Sequence, residues 1–128
     1  MNSRSLVKSV AKLSPKMAGV KDIVLGKKYK LSLVFCGNSL SRQLNRTYRK
    51  KDKPTNVLSF PISKNSGEIF INKDRYDDFT TLYLFIHAVL HLKGRQHGAK
   101  MESEEKKLLK LFNGKTNLSR HRHRQSSR

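Results

Sequence analysis

Apolar positions follow two periods along this chain, and the switches between them mark its elements. Leu6, Val10 and Leu13 recur at helical spacing and predict a short amphipathic helix that Ser14 and Pro15 end. Residues 16–28 show no clear period and read as a connection. Leu31, Leu33 and Phe35 alternate with Ser32 and Val34, which predicts a strand closed by Gly37. Asn38 or Ser39 then caps a helix with Leu40, Leu44 and Tyr48 on one face and Arg42, Arg46 and Arg49 turned elsewhere.

After the polar loop of residues 49–54, residues 55–60 read as a second strand ended by Pro61. The turn of residues 63–67 leads into a third strand at residues 68–71. Residues 101–112 form the last helix, apolar at Met101, Leu108, Leu109 and Phe112. Glu102, Glu104 and Glu105 precede Lys106, Lys107 and Lys110 there, an order that suits the helix dipole and needs no further role. Internal repeats are absent from the sequence.

The stretch of residues 79–92 breaks the amphipathic rule. It carries no fixed charge, and apolar side chains occupy every side of a helix: Leu82, Ile86, Val89 and Leu90 on one arc, Leu84, Phe85, Ala88 and Leu92 on others. Such a helix belongs in a core, where His87 and His91 need a strong partner. It is too short for a membrane span. Four residues apart, the two rings lie only ~40° apart around the axis and converge. Gly94 supplies a left-handed residue to end the helix, so that His97 can turn back toward them. Three neutral imidazoles form a metal site with one position open, the arrangement of catalytic rather than structural zinc. A hydrogen-bonded core histidine without metal is the plainer alternative.

Charge adds a partner to this picture. Residues 1–53 carry 14 Lys or Arg against two acids, residues 54–112 nine against seven, and residues 113–128 five against none. The excess of +19 therefore sits away from the histidines and points to a polyanion, nucleic acid before membrane. Beyond residue 113 apolar residues nearly vanish, which predicts a disordered basic tail; the arginines around His121 and His123 disfavour metal there. No apolar run suited to a secretory signal opens the chain, so a cytoplasmic location is expected. Cys36 is alone in an apolar stretch and reads as a small core residue rather than a nucleophile.

Three blocks, LNRTYRKKDKPTNVLSFP (residues 44–61), GEIFI (67–71) and HAVLHLKGRQH (87–97), together resemble the YbeY family of bacterial metal-dependent endoribonucleases, in the family's order. Weaker similarity continues into the acidic start of the last helix. The resemblance implies an α+β fold: a small mixed, mostly parallel sheet packed with helices, and a central buried helix carrying the metal histidines. It implies one hydrolase domain over residues 1–112, with residues 113–128 as a tail. It implies one zinc per chain on His87, His91 and His97, a catalytic Arg49, and a basic groove to which Arg46, Lys50, Lys51 and Lys53 contribute RNA contacts. The expected substrate is single-stranded ribosomal RNA, in 16S 3′-end maturation and ribosome quality control with the small subunit, without membrane or small-molecule cofactor.

The sequence departs from the family in two places. Ala88 stands where Gly is usual, and Arg95-Gln96 where Tyr-Asp is usual, which removes a carboxylate beside the third histidine. The N-terminus is also short, so an early strand is expected to be missing or rearranged. Zinc peptidases carry Glu at the place of Ala88, so that reading lacks its general base. For RNA cleavage the attack can run through activated water, the RNA 2′-hydroxyl, or with help from a carboxylate such as Glu102 or Glu104. The alternative from another class is a non-catalytic RNA-binding assembly factor with a structural metal.

Overall fold

A computed structural model describes residues 9–75 and 80–113. Its elements run β1 (Ser9–Ala11), α1 (Pro15–Val24), β2 (Lys30–Cys36), α2 (Asn38–Arg49), β3 (Val57–Ser63), β4 (Ser66–Asn72), α3 (Thr81–Lys93) and α4 (Ala99–Asn113). The four strands form one sheet in the order β1-β2-β4-β3. The class is α+β and the sheet is mixed, but its parallel part is confined to the central pair: β2 runs parallel to β4, while β1 on β2 and β3 on β4 are antiparallel.

Strand alternation sends side chains to two unequal layers. Leu33, Ile69 and Ile71 face the larger core, with Met17 and Val20 from α1, residues 83–86 and 88–90 from α3, and Met101, Leu108 and Leu109 from α4. Val34, Cys36, Leu58 and Phe70 face the other way, against Leu40 of α2. Each large side chain taken fully from water in the larger layer stabilises the fold by about 1.5–3 kcal/mol before entropy is counted. Helix α3 is the centre of that layer, with eight successive buried residues from Tyr83 to Leu90.

The chain's start differs from the sequence expectation. Residues 9–11 form a strand paired with β2, where a helix was predicted, and Leu6 lies outside the described residues. Ser14 and Pro15 open a helix instead of closing one: Ser14 Oγ accepts from the Met17 N–H at 3.2 Å, and Pro15 occupies the first turn, where its missing N–H costs nothing. Residues expected to be a connection thus form α1, with Met17 and Val20 buried.

Two smaller corrections have local causes. The cap of α2 is Gly37, not Asn38 or Ser39, and Asp74, just past the end of the neighbouring strand β4, accepts from the Asn38 N–H at 3.1 Å. Pro61 does not end β3: it sits in an edge strand, opposite Gly67 and beside a register shift, where no partner needs its N–H. The expected tail beyond Asn113, with His121 and His123, lies outside the described residues.

Candidate metal centre

Helix α3 begins at Thr80, whose side chain accepts from the Tyr83 N–H at 3.0 Å, and ends at Gly94 with φ of 106°. There the Gly94 N–H donates to the His91 carbonyl at 2.9 Å and the Arg95 N–H to the Leu90 carbonyl at 3.0 Å, the paired bonds of a Schellman turn. The chain leaves the helix sideways, and His97 returns toward the last two turns. The three Nε2 atoms then lie 2.9 Å (His91–His97), 3.2 Å (His87–His91) and 3.3 Å (His87–His97) apart.

The protons on the other ring nitrogens give this cluster its meaning. His91 Nδ1 faces the Arg95 carbonyl at 3.1 Å, which can only accept, so that nitrogen carries the proton. His87 Nδ1 donates to Glu105 Oε2 at 2.5 Å. In a neutral ring with its proton on Nδ1, Nε2 presents a lone pair, and the Nε2 atoms of His87 and His91 face each other at 3.2 Å. Such a pair repels unless a cation lies between the rings. A tetrahedral ion held at roughly 2.0–2.1 Å spaces its ligand atoms by about 3.3 Å, close to the spacing found, so the donor set fits zinc. Burial first, then His87, His97 and Arg49, push the His91 pKa down against the bond to Arg95, which keeps this ring neutral and able to ligate.

Glu105 is the residue sequence reasoning missed. It is 1% exposed, and its second oxygen accepts from Tyr83 OH at 3.2 Å. Its role is not helix polarity: a buried carboxylate orients the His87 ring. The signal was present, because Glu105 stands four residues after Met101 and three and four before Leu108 and Leu109, on the apolar face of α4. Of the acids considered for proton transfer, Glu102 lines the cavity beside the histidines. Glu104 instead forks to Arg95, at 2.8 and 3.2 Å, and ties the turn before His97 to α4.

The histidines open into a cavity of about 940 Å³ whose wall includes Tyr48, Arg49, Phe60, Ala88 and Glu102. Arg49 is thus brought to the centre, near enough for its charge to lower the His91 pKa. Arg46, Lys50, Lys51 and Lys53 are exposed but do not line this cavity. Arg46 lies 3.6 Å from Asp52, which Arg42 also engages at 2.8 Å.

The loop that carries these cations is fastened by buried polar groups of α2. Ser41 Oγ donates to the Thr55 carbonyl at 2.7 Å and accepts from its N–H at 2.9 Å, while Asn45 donates to the Lys53 carbonyl at 2.8 Å. Lys50 closes the helix with φ of 62°. Cys36, as expected, is a buried core residue, its thiol pushed up to about 11 by burial and then by Asp74. No helix among the described residues is long and apolar enough to cross a membrane.

Comparison with known proteins places this geometry in a family. A family model described as Endoribonuclease YbeY matches residues 2–113. Curated proteins of that name are similar to the chain. The one from Neorickettsia sennetsu is 35% identical over 66% of this chain and 74% of its own length. That from Ehrlichia canis is 40% identical over 62% and 64%, and that from Aquifex aeolicus 36% over 65% and 65%. The match spans just under two thirds of the latter two relatives.

Proposed function

This chain belongs to the YbeY endoribonuclease family, and on that premise we propose that it is a zinc-dependent endoribonuclease that cuts single-stranded RNA, with ribosomal RNA as substrate. The convergence of the Nε2 atoms of His87, His91 and His97 within 3.3 Å of one another carries the reading. Zinc bound by these three rings would supply a concentrated positive charge and would acidify water.

The chain's own groups do the rest. His87, His91 and His97 hold the metal, with Glu105 and the Arg95 carbonyl setting the tautomers of the first two. Arg49, on the same wall, grips a non-bridging phosphate oxygen with its planar fork. Glu102 lines the cavity alongside Glu105, which is engaged with His87 and Tyr83, and is the carboxylate left for moving a proton; Ala88 occupies the place where a peptidase would carry its base. The exposed Lys50, Lys51, Lys53 and Arg46 steer the RNA backbone. We take residues 1–112 as the catalytic unit and residues 113–128 as a further RNA contact. The biological setting we propose is cytoplasmic 16S 3′-end maturation and ribosome quality control at the small subunit.

Elemental analysis paired with an RNA cleavage assay tests this. The purified protein is expected to hold about one zinc per chain and to cleave. His91→Ala should lose both. Cleavage that survives loss of all three histidines overturns the mechanism. Salt-sensitive RNA binding without cleavage at any metal loading would leave an assembly factor with a structural metal.

A further inference from the structure

The apolar face of α2 does not end where its core ends. Leu40 is buried and Leu44 half-buried, yet Tyr48, next on the same face, is 64% exposed. Its ring is nevertheless held. Phe60 meets it at 5.2 Å between centroids and 62° between planes, and Phe60 in turn meets the buried Phe70 at 5.8 Å and 77°. Three rings thus step from the core to the solvent. A T-shaped contact occupies at most one face of a ring, so Tyr48 keeps a flat surface free.

Its position gives that surface a use. Val10, Ile23 and Leu111 are also large exposed apolar side chains, and none lines the cavity. Tyr48 and Phe60 do, together with the three histidines and Arg49. Arg49 follows Tyr48 directly, and Lys50, Lys51 and Lys53 follow within one loop. A flat aromatic surface flanked by cations matches a base attached to a phosphate chain, whereas a protein partner would have to be acidic and aromatic at once.

We propose that Tyr48, backed by Phe60, is the platform on which an unpaired nucleobase beside the scissile phosphate stacks. The proposal rests on the reading of the cavity as an RNA site and adds what selects the strand. Every base has a π-face, so the platform accepts any sequence. A base inside a duplex has both faces covered, so paired RNA is refused. Arg49 holds the phosphate, and Tyr48 decides whether the adjacent nucleotide is unpaired.

The chain has no tryptophan, so Tyr48→Trp introduces a single reporter at the platform. In the 128-residue chain its emission should be quenched by a short single-stranded oligoadenylate, and not by an abasic oligomer of equal charge, by duplex RNA, or by an acidic peptide. Tyr48→Ala should weaken oligoadenylate binding roughly 5- to 100-fold while leaving abasic binding unchanged, and Tyr48→Phe should restore the affinity. Melting curves should show that each variant folds, as the 64% exposure of the side chain leads one to expect. Equal loss for oligoadenylate and abasic oligomer, wild-type binding by Tyr48→Ala, or equal quenching by the peptide would each overturn the platform. Binding is read apart from turnover. A protein that stacks bases but never cleaves sinks the endoribonuclease reading alone, and one whose cleavage and binding ignore Tyr48→Ala sinks the platform alone.

Discussion

The two sides of the sheet hold their polar groups in different ways. On one side α1, α3 and α4 enclose a broad apolar layer, and the polar groups admitted there, His87, Glu105 and Tyr83, are bonded to one another. On the other side α2 covers a small cluster, and its buried polar residues Ser41 and Asn45 fasten a cationic loop to the helix. A metal ligand set must resist its own repulsion, which requires a rigid, desolvated support. A phosphate grip of the kind proposed for Arg49 needs charge in reach of solvent, which requires exposure. The centre joins the two, because β3 and the end of α2 bring Arg49 to the wall that α3 supplies.

The contrast is sharpest under His91→Ala, the change expected to have the largest effect. Metal content should fall from about one ion per chain to near none, and RNA cleavage to background. Arg49→Ala should act only on the other side: kcat/KM for RNA falls roughly 10- to 100-fold, the scale of a lost charged hydrogen bond, with metal content unchanged. A joint loss of metal would erase the division of labour drawn here.

Glu105→Gln is the finer probe of the α3 side. It keeps the shape but removes the charge that His87 Nδ1 meets, and chelator competition should show zinc affinity lower by about 10-fold. Unaltered affinity would reduce Glu105 to packing. On the α2 side, Ser41→Ala removes the bonds to Thr55 and should cost about 1 kcal/mol in denaturant unfolding, with KM for RNA raised and metal retained. Smallest is the effect expected at Cys36: with its thiol pushed up to about 11 and buried, alkylation at mildly alkaline pH should be slow in the folded protein and fast once denatured. Rapid labelling without unfolding would show that the α2 side opens on its own.

Much of this was readable in the chain. The three histidines stood out because two polar rings at helical spacing inside an uncharged run have few physical explanations, and Gly94 marked the turn that returns the third. Local bonding alone sets that much. The start of the chain misled because Leu6, Val10 and Leu13 satisfy a helical period by chance, while the β2 edge offered residues 9–11 a ladder that periodicity cannot see. Pro61 misled likewise, since its tolerance depends on whether the strand lies at an edge.

The sequence by itself determined the uneven charge, which composition fixes, and the donor atoms with the turn that gathers them, which depend on residues within a few turns of each other. Only the tertiary structure decided that Glu105 bonds His87 across 18 residues, that Arg49 shares a cavity with the histidines, and that Tyr48 stays uncovered. Those relations depend on how helices and strands pack, and a carboxylate on a helix face takes its partner from whatever element lies against it.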